Sequence, residues 1–595
     1  KYYADRGNLL IASRYAHEDL MTLKPILVQS SSQPPRDKKL LNEFATQALI
    51  SFLTVSDKLY PNKSRKRTEA IRRGFEITQL ILRNEASESF ASSLSRRVFS
   101  TNEQKARYRR LQDLRRTLSD KQLGLKNLNA ERAKSGERTE DPNPWKRQFS
   151  FSAILKREKK DEEEKLLLEE ISSLVAEIAE ISSEVASNEE IIRIVPSEAI
   201  MEKLSDNEAL LAFLFSKHGG AAWSVRKREI DFKILSSSYT DLAKIVAALR
   251  EDVDFSKLGK DFTLTSFDIG LAHTAYNKIF GPIEEKLEGI TELTIIPHGP
   301  LQKIPLSILV SKPFSTKNKK TFSDVDWLIK KYAFSYLPSI QLFSESRSLE
   351  KEKLKNLTFL GVGDPVLSAR TDDKSFDIGK LISRGGATDP ASLAKLPSLP
   401  STRDELAKLS ELLTGSKNNL LLGRFANELK IKSMDLSKSQ VIAFATHALV
   451  AGELPGIMEP GLVLSIPDEP SIKDDGYLTA NEIATLKLNA DIVILSACNT
   501  ASSSGQQGAT QLSGLTASFL YAGVKSMLVS HWYVETTVAP ILTTNFVKRI
   551  YKDGINPAQA LQSTILSFIS ERDGTIFSHP VFWAPFVYIG GNNQK

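Results

Sequence analysis

Two short apolar runs near the C-terminal end constrain this chain more than any other feature. The first is Val441-Ile442-Ala443-Phe444-Ala445-Thr446-His447-Ala448, the second Asp491-Ile492-Val493-Ile494-Leu495-Ser496-Ala497-Cys498. Each is rich in β-branched or aromatic residues, lacks proline, and carries no charge past its opening residue. Runs of this kind predict strands buried on both faces of a mostly parallel sheet. Each stops on small residues beside a reactive side chain. Ligands and catalytic groups in open α/β sheets collect at the carboxyl ends of the strands. The two runs are therefore expected to deliver an imidazole and a thiol to one sheet edge. Cys498 is the only cysteine in the chain.

A length of 595 residues calls for about three to five domains. The apolar fraction of 41% is enough to fill several cores. A single cysteine excludes a disulfide within the chain and any cysteine-based zinc cluster, and favours a reducing, cytoplasmic setting. No apolar run reaches the roughly 18–20 residues of a membrane span, so no membrane partner is expected. Net charge is +7, and the basic clusters Lys63-Ser64-Arg65-Lys66-Arg67 and Arg107-Tyr108-Arg109-Arg110 lie in the polar N-terminal half. A nucleic-acid surface would set several aromatics among such residues. Tyr108 alone does not, so these clusters read as solvated helix faces. Because the numbering opens on Lys1, it is expected to begin inside a longer product.

Taken in order, residues 1–100 read as helices broken at Pro25, at 30–35 and at Pro61. Ala45–Leu53 and Ala70–Leu82 are apolar at helical spacing. A tetratricopeptide-like array and a plain helical domain fit equally well. Leu111, Leu114, Leu118, Leu125 and Leu128 follow a three–four spacing. Leu167, Ile171, Leu174, Ile178, Ile181, Val185 and Ile192 repeat it. The two stretches predict an antiparallel helical hairpin with a coiled-coil seam over 101–200, a structural arm first and a docking surface second.

From Asn207 the period shortens. Strands are expected at Ala209–Phe215, Ala222–Arg226, Phe232–Leu235, Leu293–Leu301 and Phe334–Ile340, forming an α/β unit over 201–345. His298 reads as a turn residue rather than a ligand. A second unit, 346–595, opens with the strand Leu357–Val362. Its Gly361-Val362-Gly363-Asp364-Pro365 lacks the third glycine of a dinucleotide fingerprint. After a loop of more than 30 residues, Ser401 or Thr402 is expected to cap a helix, with Glu405 closing a capping box. Leu420–Leu422 is a short strand, Gly452–Asp475 is irregular, and 476–483 holds a capped helix start. Helices are expected at Leu512–Ala522, Val538–Tyr551 and Pro557–Ile569. Ser526–Ser530 is a strand and His579–Ile589 an edge segment.

A free thiol is only slightly ionised at neutral pH, so a nucleophilic Cys498 needs a base or a positive field beside it. His447 titrates in the useful range and lies about 50 residues upstream, the caspase spacing. The N–H groups of Ala448 and Cys498 are candidates for an oxyanion hole. Singly, each residue also fits an inert core position. Their joint placement at two strand ends favours a dyad.

These residues resemble the CHAT domain family, caspase-like cysteine peptidases of the clan that includes separase. The resemblance rests on Phe444–Ala448, Asp475-Gly476-Tyr477-Leu478-Thr479-Ala480-Asn481-Glu482-Ile483 and Val493–Thr500. It continues through Gly514-Leu515, Tyr521-Ala522-Gly523, Ser530–Val534 and His579–Phe586. Upstream it takes in Ile296–Leu301, Ile304–Leu306, Gly361–Pro365 and Leu399–Glu405, so that it spans residues 205–590. It implies a three-layer α/β sandwich, an inactive caspase-like half followed by an active one, behind an α-helical region. It implies a dyad of His447 and Cys498, no cofactor or metal, and a protein substrate. Some relatives are unleashed on one protein by a defence or cell-death system, and tetratricopeptide helices upstream are common. An activator on the N-terminal helices is the corresponding expectation here. Asn499 stands where an acidic residue is common in the family. Glu535-Thr536 stands where two acidic residues are common. Ser496, Trp532, Val534, Glu535 and Thr536 form the expected substrate pocket, with the P1 residue left open. A catalytically silent scaffold and another thiol hydrolase or acyltransferase are the alternatives.

Overall fold

The computed structural model describes residues 9–29, 35–83, scattered positions between 110 and 181, 194–253, 267–314, 321–347, 357–367, 390–416, most of 419–496, and 514–591. The chain divides into two compact units, Ser92–Arg193 and the remainder. In the former, Leu114 is buried, and the ion pairs Arg110–Glu177 (2.8 Å) and Lys121–Glu170 (2.7 Å) run in antiparallel sense. Leu111, Leu125, Leu128, Ile178, Val185 and Ile192 of the expected seam lie outside the described residues.

The larger unit begins with helices α1 (Leu9–Gln29), α2 (Pro35–Leu59) and α3 (Arg65–Ile81). Pro25 does not break α1 as the sequence suggested. Leu20, Leu23 and Leu27 are buried on either side of it, and burial of that stripe outweighs the lost backbone bond. Ser64 caps α3, its hydroxyl accepting from Arg67 N–H at 3.2 Å. The Arg67 guanidinium is drawn out of its basic cluster into a buried bridge to Asp57 (2.8 Å) and Asp231 (3.0 Å), above the Phe232 ring. It thus fastens α3 to the sheet that follows.

That sheet has 11 strands in the order β3-β2-β1-β4-β5-β14-β13-β12-β8-β6-β7. Its first part comprises β1 (Glu208–Ser216), β2 (Gly219–Arg226), β3 (Glu229–Leu235), β4 (Glu292–Ile296) and β5 (Ala333–Tyr336). Helices α4 (Tyr239–Glu251) and α5 (Ile269–Ile279) lie between β3 and β4. Ile340, expected to end a strand, instead opens helix α6 (Ile340–Arg347). The second part holds β6 (Phe359–Gly363), α7 (Pro390–Leu393), α8 (Ser401–Thr414), β7 (Leu420–Leu422), α9 (Glu428–Ser433) and β8 (Val441–Ala445). After these come β9 (Ala448–Leu449), β10 (Gly461–Val463), β11 (Tyr477–Thr479) and α10 (Ala480–Thr485). The chain continues through β12 (Ile492–Leu495), α11 (Gly514–Ala522), β13 (Met527–Ser530), α12 (Ala539–Tyr551), α13 (Pro557–Glu571) and β14 (Phe586–Ile589). No helix among the described residues is long and apolar enough to cross a membrane.

Every residue of β4, β5, β6, β8, β12, β13 and β14 is buried. Successive side chains of a strand point to opposite faces, so both faces of the sheet are covered and the architecture is a three-layer α/β sandwich. Two expectations fail here. The first apolar run is not one strand: β8 stops at Ala445, and Ala448 enters a separate three-stranded sheet, β11-β10-β9. Its middle strand β10 lies in the stretch expected to be irregular. The C-terminal segment is not an edge. Strand β14 sits at the sheet's centre, parallel to β5 and antiparallel to β13, because its four apolar residues leave it no face for solvent.

Candidate active site

Strands β6, β8, β12 and β13 are mutually parallel and so end at one edge. Strand β14 runs antiparallel to β13 but parallel to β5, which turns the ends of β4 and β5 to the opposite edge. His298, past the end of β4, therefore belongs to the other side of the sheet. It is an interior histidine: its Nδ1 accepts the Phe215 N–H at 3.1 Å, and burial lowers its pKa to about 4.

On the first edge, β8 and β12 are neighbours, with Phe444 paired to Leu495 and the Ser496 N–H bonded to the Phe444 carbonyl at 2.9 Å. His447 and Cys498 each stand three positions past that matched pair in sequence. Ala497 and Cys498 lie outside the described residues, so of the expected dyad the structure describes His447 and the strand leading towards Cys498.

His447 is only 8% exposed. Its carbonyl accepts the Val463 N–H at 2.8 Å, which ties it to β10. Its Nε2 lies 2.7 Å from the carbonyl oxygen of Pro397. A carbonyl can only accept, so Nε2 carries the hydrogen and Nδ1 keeps its lone pair. Burial depresses the imidazole pKa most, against smaller upward pulls from the Pro397 bond and from Glu453. The ring is thus neutral at pH 7 and able to take a proton. Pro397 is held in turn by Leu393 and Leu396, which pack with Leu367, Leu449, Ile457, Val463, Ile466 and Tyr477 in a satellite core. The end of the long 367–400 stretch, expected to be a loop, is thereby part of the histidine's support. Residues 368–389 of that stretch lie outside the described residues.

Ala448 pairs with Leu462. The neighbouring bond from Val463 N–H to the His447 carbonyl makes this a non-hydrogen-bonded pair, so the Ala448 N–H is not spent on β10. The expected pocket residues follow β13 at the same edge. Trp532 is buried, its indole N–H donating to the Val581 carbonyl at 2.9 Å and its ring under the Arg250 guanidinium. Val534 is buried as well. The Glu535 carboxylate turns back on its own chain, accepting the N–H groups of Thr537 (2.8 Å) and Val538 (3.1 Å) and the hydroxyls of Thr536 and Thr537. It caps the turn that precedes α12. Ser496 hydrogen-bonds not into open space but to the Glu405 carboxyl at 3.3 Å.

Glu405 is the residue whose role the sequence hid. The expected capping box at 401–405 does not form: Thr402 Oγ donates to the Leu399 carbonyl and accepts the Asp364 N–H. Glu405 is 2% exposed, lies against Thr543 Oγ1 at 2.8 Å as well as Ser496, and burial pushes its pKa up to about 7. A carboxyl on an inward helix position beside small strand residues is the signal that would have shown it. The two glycines of β6 serve this packing. A Cβ on Gly363 would stand 2.6 Å from the Ala445 carbonyl and 2.7 Å from Leu406. They let α8 approach the sheet.

Residues 270–591, just over half of the chain, match the CHAT domain family. Tetratricopeptide repeat protein 28 of Mus musculus is 28% identical over 224 residues, 33% of this chain and 9% of that protein. Its Homo sapiens counterpart is 24% identical over 369 residues, 56% of this chain and 13% of that protein. The chain therefore spans a small part of the length of these relatives. Two structures of the Saccharomyces cerevisiae separase–securin complex align with 98% of this chain and 40% of theirs. Their identities are 10% and 9%, and their TM-scores 0.39 and 0.42.

Proposed function

The chain belongs to the CHAT domain family, and on that premise we propose that it is a cysteine endopeptidase with His447 as base and Cys498 as nucleophile. The observation that carries this reading is the bond from His447 Nε2–H to the Pro397 carbonyl, which orients a neutral imidazole with Nδ1 available. The matched exit of β8 and β12 supports it. In the proposed cycle Nδ1 removes the thiol proton and Sγ attacks the scissile carbonyl carbon, forming an S–C bond. The resulting oxyanion is met by the N–H groups of Ala448 and Cys498. The C–N bond then breaks as the imidazolium returns its proton to the amine. Water, deprotonated by His447, hydrolyses the thioester and releases the thiol. Pro397 takes the orienting place that a carboxylate holds in serine peptidases.

The pocket would be built by Ser496, Trp532, Val534, Glu535 and Thr536. Because the Glu535 carboxylate is engaged by its own turn, a basic P1 side chain would have to compete with that cap. The natural substrate is a partner protein. Activation falls to a protein effector, in a defence or cell-death response of the kind some relatives serve. The helices α1–α3, clamped to the sheet through Arg67, offer it a surface coupled to the catalytic unit.

The test mixes the purified chain with proteins encoded beside its gene, with and without Cys498→Ala and His447→Ala. Cleavage should vanish in the first variant and fall by about 100-fold or more in the second. Iodoacetamide should label wild-type Cys498 with a midpoint below the free-thiol value of about 8.5. Cleavage that survives Cys498→Ala sinks the mechanism. A Cys498 that no reagent labels in the folded chain would leave a partner-binding scaffold as the better account, and a modified but uncut partner an acyltransferase.

A further inference from the structure

Several carboxyls are sealed inside the larger unit, and most have a cation or a set of donors to hold their charge. Glu208 pairs with Arg347 at 2.5 Å. Glu428 pairs with Lys432 and accepts the N–H groups of Asp475, Gly476 and Tyr477. Glu292 accepts from the amides of Asn207, Asn556 and Gln559. Glu405 differs: among the described residues its partners are two hydroxyls, Ser496 and Thr543, and no cation.

Thr543 faces two acceptors, and the Ala539 carbonyl already takes the Thr543 backbone N–H within α12. Its Oγ1 lies 2.8 Å from Glu405 Oε1 and 2.9 Å from the Ala539 carbonyl. A hydroxyl has one hydrogen, and the carbonyl can only accept. If Thr543 serves Ala539, the contact to Glu405 needs a hydrogen from the carboxyl itself. All three groups are then satisfied in one chain, Glu405 O–H to Thr543 O–H to the Ala539 carbonyl, while Ser496 donates to the other carboxyl oxygen. An ionised Glu405 would instead hold its charge at 2% exposure with only two hydroxyls as described partners, which is costly.

We propose that Glu405 is a positioning residue for the nucleophile: as the neutral acid it links Ser496, two residues before Cys498, to helix α12, and so sets where the chain leaves β12. This rests on the reading of Cys498 as nucleophile. The raised pKa agrees with it, since burial opposes the charge. Strands β6, β8 and β12, which flank Glu405, carry no titratable side chain within their paired spans. On α8, Arg403 pairs with Asp364 at 2.7 Å, and Asp404, Lys408 and Glu411 face solvent. On α12, Lys548 is exposed and Arg549 donates to Ser567. His447 stands past the end of β8.

The experiment compares wild type, Glu405→Gln and Glu405→Ala in the full chain, from pH 5.5 to 8.5. It follows iodoacetamide labelling of Cys498, cleavage of the partner protein, and thermal midpoints. Gln supplies a neutral donor and acceptor in place of the acid. Glu405→Ala should slow labelling and lower kcat by about 10- to 100-fold at unchanged KM. Glu405→Gln should restore both and flatten their decline above pH 7. An Ala variant as active as wild type, or a Gln variant as impaired as Ala while still folded, would overturn the proposal. Cleavage persisting in Cys498→Ala would defeat the peptidase reading instead. In that case the midpoints still judge the protonation: a Gln variant whose midpoint tracks wild type from pH 5.5 to 8.5 rejects a neutral Glu405.

Discussion

Glu405 and the buried histidines pull the stability of the fold in opposite directions as pH changes. The carboxyl has a folded pKa near 7 against an ordinary 4.5, so the native state holds a proton that the unfolded chain releases. Its contribution is full below about pH 4.5, falls as pH rises towards 7, and is gone above that, a swing on the order of 3 kcal/mol. His298 and His531 are depressed to about 4 and about 3, and His447 is lowered as well. Their contribution is present above the unfolded value of about 6.5 and is lost as pH falls towards the folded values. The two windows overlap from about pH 4.5 to 6.5, where three histidines act against one carboxyl, so stability in chemical denaturation should rise with pH there and Glu405 should blunt the rise. Glu405→Gln should steepen the rise between about pH 4.5 and 7, by on the order of 3 kcal/mol in total. An unchanged slope in Glu405→Gln would show that Glu405 does not hold the proton. The sequence made His447 legible because a reactive side chain ended an apolar run. It left Pro397 illegible, since a backbone carbonyl carries no signature of the ring it will meet.

At the scale of elements, one local pattern gives two outcomes. Thr479 and Glu482 form a capping box at the start of α10, as their spacing predicts. Thr402 and Glu405 share that spacing and form none. Helix α10 starts where Glu482 can reach back to the Thr479 N–H at 3.0 Å. Helix α8 presses its first turns onto the sheet, and Glu405 is turned inward, where Ser496 and Thr543 meet it. Thr479→Ala should cost about 1 kcal/mol in denaturant unfolding, the usual loss for a cap. A change near zero would mean that α10 is held by its packing alone. A second element-scale constraint is Gly523, which follows α11 at φ +119, where an added Cβ would lie 2.2 Å from the Leu488 carbonyl. Gly523→Ala should destabilise by about 1–3 kcal/mol from backbone strain alone. Unchanged stability would mean that the turn can relax. The short strands β9 and β10 escaped the sequence reading because two or three residues are too few to show a period.

Across the whole molecule, β14 decides how the parts cohere. It pairs with β13 over Phe586–Ile589 and touches β5 at Ile589, with the Gly590 N–H donating to the Tyr336 carbonyl at 3.0 Å. Strands β1–β5 and the strands from β6 onward that are ordered beside them therefore share one continuous sheet. Val587→Asp, which buries a charge on that strand without a partner, should cost several kcal/mol. It should lower the melting of β1–β5 and β6–β13 together, as read by hydrogen exchange of both sets of strands. Loss of protection confined to the strands beyond β13 would show that the two sets fold independently. Composition and local pattern were sufficient to determine the buried strands, the small-residue exits beside His447 and Cys498, and most helix positions. Each of these depends on side chains within a few residues of one another. The reversal of strand direction at β14, the separation of His298 from the edge that carries His447, the Pro397 carbonyl on His447 and the inward Glu405 were decided only by the tertiary structure. Each is a meeting of groups far apart in sequence, fixed by which apolar faces had to be buried against which.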